Sequence, residues 1–215
     1  MIGIDEAGRG PVLGPLVVAA LQVTNETCLE EIGVRDSKKL RPKRREKLYQ
    51  ELKACSEFSI ESVSAKEIDD MRGEHNLNEI ERILFSRAAK GLDFKGDVIY
   101  VDCCDTDEVR FGMDLESRID GACVRSRHKA DEIYPCVSAA SIVAKVHRDR
   151  YVYHLNEMAR DRWGLEIGSG YPSDPVTIRF LEEITSIEGT MPFFVRRTWK
   201  TAKRYNQSTL DSYNE

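Results

Sequence analysis

The sequence predicts an α/β fold with a helical C-terminal extension. Short apolar segments typical of strands alternate with amphipathic helical segments up to residue 131. Only helical patterns follow that point, which places the extension after the sheet. Of the 215 residues, 41% are hydrophobic and 32% charged, and this composition is typical of globular proteins rather than disordered ones.

The strand predictions rest on apolar, β-branched segments bounded by turn residues. Continuous apolar runs indicate that the second and fourth segments are buried strands, whereas polar and apolar residues alternate along the third. The predicted strands are residues 1–5, 15–23, 58–65, 97–102 and 122–131.

The helix predictions rest on apolar residues repeated at helical spacing and on residues that favour helix ends. Pro42 and Pro175 stand where a first helical turn accepts proline, and Asp174 is the predicted N-cap of the last helix. The predicted helices are residues 42–55, 76–92, 107–119, 173–186 and, as one or two helices, 137–163.

Composition and termini exclude several classes of protein. No apolar run approaches the ~20 residues that a membrane helix needs, and the N-terminus lacks the pattern of a signal peptide. We therefore expect a cytoplasmic protein without membrane contact. The six cysteines show no zinc-binding spacing. Because no apolar helix face is left over, we expect a monomer.

Basic residues cluster in three runs although the net charge is −5. The runs are residues 38–47, 124–129 and 195–204, and the last contains Arg196. Such a run is usually a solvated face, but three of them keep a polyanionic partner as a hypothesis. In that hypothesis Arg196, Arg197 and Trp199 are candidate contacts to a duplex backbone. For Trp199 we favour the alternative, a contact that holds the C-terminal tail to the body of the protein.

Three predicted strands end in carboxylates: Asp5 with Glu6, then Asp102, then Asp131. If these ends converge, the acids share one pocket, where two charges ~4 Å apart repel by about 4 kcal/mol. A cluster of oxygen ligands without His or Cys favours Mg²⁺ or Mn²⁺. The alternative is that each acid is an ordinary turn residue or helix cap.

The glycine-rich stretch after Glu6 has a second interpretation, as a dinucleotide or phosphate loop. Its glycines, at 8, 10 and 14, are spaced G-x-G-x-x-x-G rather than G-x-G-x-x-G. Pro11 lies inside the loop and an acidic pair precedes it, which would repel a pyrophosphate. We therefore favour the metal interpretation.

Six motifs resemble the type 2 ribonucleases H, the ribonuclease HII family, and most of all its archaeal members. They span almost the whole chain in the family's order. The sister type, ribonuclease HIII, usually carries an extra N-terminal domain and differs at Ala7, so we do not expect it. The motifs are "IDEAGRGPVLGPLVVAA" (4–20), "DSKKL" (36–40), "YVD" (100–102), "HKADEIYPCVSAASIVAKVHRDR" (128–150), "GSGYPSDP" (168–175) and "VRRTWKT" (195–201).

The resemblance implies a ribonuclease H-like mixed central sheet flanked by helices. Residues 1–155 would form the catalytic domain, and residues 156–215 a helical extension that packs on it and helps to bind substrate. The family's four catalytic acids, which would bind two ions of Mg²⁺ or Mn²⁺, fall on the acids selected above: Asp5, Glu6, Asp102 and Asp131.

The implied reaction is hydrolysis of the RNA strand of RNA–DNA hybrids. It also includes a cut 5′ of single ribonucleotides embedded in duplex DNA, which leaves 3′-hydroxyl and 5′-phosphate ends. Other interpretations are a hybrid-binding module without catalysis, and a DNA nuclease or resolvase on the same fold. A contact to a replication clamp is also open.

The resemblance also implies how the substrate is recognised. Backbone groups of Gly8, Arg9 and Gly10 would read the 2′-hydroxyl, which distinguishes RNA from DNA. Tyr171 would stack on the neighbouring deoxyribose. The alternatives are a tight turn for the glycines and a core or loop position for the tyrosine. The candidates for phosphate binding are Ser37, Lys38 and Lys129.

Overall fold

Five strands form one mixed sheet in the order β3-β2-β1-β4-β5. The five strands predicted from the sequence and the mixed sheet implied by the family resemblance are both confirmed. β1 pairs with β2 antiparallel and with β4 parallel, and β4 pairs with β5 parallel. The computed structural model describes residues 1–34, 40–93 and 96–211, except for the side chains of 206–211. The strands are β1 Ile2–Ala7, β2 Leu16–Gln22, β3 Glu57–Val63, β4 Val98–Asp102 and β5 Cys123–Arg127.

Helices lie between the later strands and are the elements that follow β5 in the described chain. Asn76 and Asp174 cap their helices as acceptors from Glu79 N and Val176 N, and Pro42 and Pro175 occupy first turns. The helices are α1 Thr27–Ile32, α2 Pro42–Cys55, α3 Ala65–Met71, α4 Leu77–Lys90, α5 Glu108–Arg118, α6 Ala130–Ile133, α7 Pro135–Trp163, α8 Pro175–Glu188 and α9 Lys200–Asp211. None of the helices in the described ranges is long and apolar enough to span a membrane.

The predicted strand 122–131 is wrong in its second half. β5 ends at Arg127, and Asp131 lies in the short helix α6. The chain turns at Lys129, which has a left-handed φ of 56°, the sole positive φ among the described residues other than glycine. Asp102 then accepts a hydrogen bond from the Ala130 backbone, which starts the helix.

The short helices α1 and α3 and the C-terminal α9 are absent from the sequence predictions. For α3 the sequence does carry a signal. The Ser64 hydroxyl accepts from Glu67 N while the Glu67 carboxylate accepts from Ser64 N, which is a complete capping box.

The chain divides into two compact units, each assembled from separate segments. The first contains the described residues of 1–7, 17–62 and 76–147, and its apolar core includes Leu21, Leu48 and Ile142. The second contains those of 8–16, 63–75 and 148–215, and its core includes Leu13, Phe180 and Phe194.

Candidate active site

Within the first unit, two neighbouring strands bring carboxylates together. The register that pairs Ile4 of β1 with Val101 of β4 places Asp5 beside Asp102. Asp5 is 5% exposed. Burial raises its pKa well above the ordinary value, and the charges of Glu6 and Asp102 raise it further. These three acids therefore share one electrostatic neighbourhood.

Helix α7 supplies the groups that oppose this rise. Its start packs directly on β1, because a Cβ on Gly3 would lie 2.2 Å from the Cys136 carbonyl carbon. From the same helix, a hydrogen bond of Ser141 and the charge of Lys145 lower the pKa of Asp5. Lys145 Nζ also donates to Ser141 Oγ at 2.7 Å. Burial and the neighbouring acids nevertheless dominate, so negative charge here is incompletely balanced.

The fourth acid, Asp131, is 4% exposed and lies in the first turn of α6. The backbone N–H of Ala130 donates to Asp102 Oδ1 at 2.7 Å, so the residue before Asp131 is fixed to the end of β4. Because Asp131 follows Ala130 directly, this hydrogen bond places it near the strand end that carries Asp102.

The donor set suits a hard divalent cation. It consists of carboxylate oxygens, and the raised pKa of Asp5 marks charge that a cation would neutralise. Across the described ranges, no three His, Cys, Asp or Glu groups already form a coordination site. The residues therefore fit the cation in chemistry and charge.

Of the three candidates for phosphate binding, one lies within the described residues. Lys129 is exposed and lies between His128, whose backbone N–H donates to Glu108 Oε1 at 2.6 Å, and Ala130. The exposed position suits contact with an external anion. Ser37 and Lys38 lie outside the described residues.

In the second unit, the predicted loop and tyrosine come together. Gly8 has a φ of 93°, and a Cβ there would lie 2.4 Å from the Pro15 carbonyl oxygen, so this position requires glycine. A Cβ on Gly10 would lie 3.6 Å from Cε1 of the Tyr171 ring. Tyr171 is 42% exposed, which contradicts the core alternative, and the Arg148 guanidinium lies 5.5 Å from its ring centroid.

The hypothesis that Arg196 contacts a duplex is wrong, because its side chain is fully buried. Instead its guanidinium donates to the carbonyl oxygens of Gly8 at 2.6 Å, Gly14 at 2.9 Å and Arg9 at 3.2 Å. Burial, with the nearby charge of Arg148, lowers the pKa of Arg196 to about 9, so it stays protonated at neutral pH.

Sequence reasoning missed both buried arginines of this unit as supports of the loop. Arg148 is 6% exposed and its Nη2 donates to the Leu13 carbonyl oxygen at 3.4 Å. A buried arginine that binds carbonyls leaves no signal in a single sequence, since basic residues normally indicate solvent.

Comparison with known proteins identifies the family of this chain. The family model for ribonuclease HII matches residues 2–202. The ribonuclease HII of Thermococcus onnurineus is 49% identical over 211 residues, which cover 96% of this chain and 90% of that protein.

Solved structures agree with the family match. The ribonuclease H2 of Pyrococcus horikoshii superposes with a TM-score of 0.89 at 43% identity, and the match covers 97% of this chain and 98% of that one. The ribonuclease HII of Archaeoglobus fulgidus, solved as a complex with PCNA, has a TM-score of 0.86 at 40% identity. That match covers 98% of both chains.

Proposed function

Because this chain belongs to the ribonuclease HII family and is therefore a ribonuclease H, we propose that it cuts 5′ of single ribonucleotides in duplex DNA. It would also cut the RNA strand of RNA–DNA hybrids, leaving 3′-hydroxyl and 5′-phosphate ends. The observation that carries the proposal is Asp5, whose pKa is raised first by its burial and then by the charges of Glu6 and Asp102. Such a cluster suits cation-assisted hydrolysis of a phosphodiester.

The proposed ligands of two divalent ions, Mg²⁺ or Mn²⁺, are Asp5, Glu6, Asp102 and Asp131. Held by these residues, such ions would supply activation of a water for in-line attack and stabilisation of the leaving 3′ oxygen. Asp102 would also hold α6 through Ala130 N, and so keep Asp131 at the end of β4. The Ser141 hydrogen bond and the charge of Lys145 oppose the rise in the pKa of Asp5 and so favour its ionised form.

The proposed substrate contacts divide the work of recognition. Peptide groups of Gly8, Arg9 and Gly10 would bind the 2′-hydroxyl, which DNA lacks. Tyr171, exposed and packed on Gly10, would stack on the next deoxyribose. Lys129, with Ser37 and Lys38, would bind phosphates.

We also propose a division of roles along the chain, a location, an oligomeric state and a protein partner. We assign catalysis to residues 1–155 and part of substrate binding to the helical extension, 156–215. We also propose a cytoplasmic monomer. The Archaeoglobus fulgidus relative supports a further proposal, that this chain contacts a sliding clamp.

The test is a labelled DNA duplex with one ribonucleotide, incubated with Mg²⁺ or Mn²⁺, with an all-DNA duplex and an Asp102→Asn variant as controls. We expect one cut 5′ of the ribonucleotide, absent in the variant and after chelation. Binding without cutting would favour the hybrid-binding module. Cutting of the all-DNA duplex would favour a DNA nuclease or resolvase.

A further inference from the structure

The loop of Gly8, Arg9 and Gly10, which we propose reads the 2′-hydroxyl, is held in place through its carbonyl oxygens. These oxygens accept hydrogen bonds from side chains of a single segment of the second unit. Arg196 donates to Gly8 O and Arg9 O, and Trp199 Nε1 donates to Gly10 O at 3.3 Å. All three consecutive carbonyls of the loop are thus bound by side chains only three positions apart. We call Arg196 and Trp199 the carbonyl clamp.

The clamp fixes the direction of the loop's N–H groups. No peptide bond in the described chain is cis. In a planar trans peptide, a carbonyl and the following N–H point in opposite directions. Carbonyls of Gly8 and Arg9 directed at the clamp therefore direct the N–H groups of Arg9 and Gly10 away from it. Pro11 has no N–H, so the third peptide contributes no further donor.

The clamp is itself anchored and well packed. Asp69 of α3 accepts from the backbone of Arg197 at 2.6 Å and of Thr198 at 3.0 Å, which fixes the chain between the clamp residues. The Arg196 guanidinium lies 4.8 Å from the Trp199 ring centroid. Among the described residues no carboxylate forms an ion pair with Arg196, so carbonyls are what its charge binds.

We propose that Arg196, assisted by Trp199, is a positioning residue for ribose discrimination. It holds the loop so that two adjacent N–H groups present hydrogen bonds to the 2′ oxygen. The inference rests on the proposed function, because it needs the loop to read that oxygen. It adds a determinant of specificity that does not touch the substrate and that stands about 190 positions along the chain from the loop.

The experiment compares single-turnover cutting of two duplexes, one with a ribonucleotide and one with a 2′-fluoro nucleotide at the same position. Fluorine is a poor acceptor from N–H, so the ratio of the two rates reports the hydrogen bonds to the 2′ oxygen. The test variant is Arg196→Lys, which keeps the charge and loses the fork of donors. Arg160→Lys is the matched control, because Arg160 is exposed and pairs with Glu157 and Glu166.

We expect Arg196→Lys to cut the ribonucleotide substrate roughly 10²-fold more slowly than the wild type. The ratio of the ribonucleotide rate to the 2′-fluoro rate should fall about tenfold. Arg160→Lys should match the wild type in both. Leu181→Ala, which opens the core of the second unit, serves as a destabilised control. It should lower the unfolding temperature without changing the ratio.

A milder variant keeps the test decisive if Arg196→Lys does not fold. Trp199→Phe retains a ring and removes only the donor to Gly10, and should lower the ratio several-fold. If Arg196→Lys folds and its rate ratio equals that of the wild type, the positioning role is overturned while the proposed function stands. If Arg196→Lys does not fold, an unchanged ratio in Trp199→Phe has the same meaning. A wild type that makes no cut at the ribonucleotide would overturn both.

Discussion

The acid cluster of the first unit and the clamped loop of the second solve opposite electrostatic problems. Burial raises the pKa of Asp5, and the charges of Glu6 and Asp102 raise it further, so the ionised form of Asp5 is disfavoured there. In the loop, a buried guanidinium is surrounded by the carbonyls of Gly8, Arg9 and Gly14 that accept its hydrogen bonds. In the proposed function the first region would be neutralised by an added cation, whereas the second carries the positive charge of Arg196.

This difference indicates how chemistry and specificity are divided. A cluster of like charges stores unfavourable energy that ligand binding can release, so the acids suit a step that depends on cations. A loop whose carbonyls are already bound is preorganised, so it suits recognition of a fixed group. Each prediction below disturbs one region and leaves the other as reference.

The largest expected effect is on the rate of cutting in Asp102→Asn. The variant keeps an Oδ1 acceptor for Ala130 N, so α6 should stay in place. It removes a charged ligand, which is worth several kcal/mol in the transition state, or about 10³-fold in rate. Single-turnover kinetics on the ribonucleotide duplex measure it. A rate within tenfold of wild type would contradict the role of Asp102.

Cation binding should stabilise the fold through the acid cluster. At 100 times the dissociation constant, Mg²⁺ or Mn²⁺ should add about 2.7 kcal/mol to the free energy of unfolding. For a chain of this size that raises the unfolding temperature by roughly 5–10 °C. Calorimetry with and without the ion measures it. An equal rise in Asp102→Asn would place the stabilising ion elsewhere.

Removal of the Tyr171 ring should weaken substrate binding without affecting the acids. Tyr171→Ala loses the ring surface that would pack on a sugar, about 1.5 kcal/mol or roughly tenfold in affinity. Tyr171→Phe keeps the ring and should bind like wild type. Fluorescence anisotropy in the presence of Ca²⁺ compares the two. Equal affinities for both variants would remove Tyr171 from the interface.

The smallest expected effect is a pH dependence of stability in the absence of metal. The pKa of Asp5 is raised on folding, so the folded state binds more protons than the unfolded state. Its contribution to stability is therefore lost as the pH rises from the ordinary value of 3.8 through the raised pKa. Asp5→Asn lacks this titration, so the free energy of unfolding of the wild type minus that of the variant, from denaturant titrations at several pH values, should fall as the pH rises. A difference that does not change with pH would contradict the raised pKa.

The sequence predicted the five strands, because apolar runs and turn residues are local signals, whereas the mixed sheet was implied by the family resemblance. It also identified Asp5, Glu6 and Asp102, which the register of β1 and β4 brings into one electrostatic neighbourhood. Asp131 was misplaced on a strand, because the left-handed turn at Lys129 has no local signature in a lysine.

The support of the glycine loop was beyond prediction from the sequence. Arg196 lies in a basic run typical of a solvated surface, and its burial depends on carbonyls far away in the chain. Gly8 gave a clear signal for a turn, but the arginine that closes the turn is fixed only by tertiary packing. The acids of the candidate site could therefore be selected from residue types, whereas the side chains that hold the glycine loop could not.

The central claim is that the acids perform the cut while the loop selects the ribose. The most direct test measures binding by the Asp102→Asn variant to two labelled duplexes, one with a single ribonucleotide and one of DNA alone. The account predicts that this variant, unable to cut, still binds the ribonucleotide duplex more tightly, and that adding Arg196→Lys abolishes the preference. Equal affinity of Asp102→Asn for both duplexes would contradict the separation of the two roles.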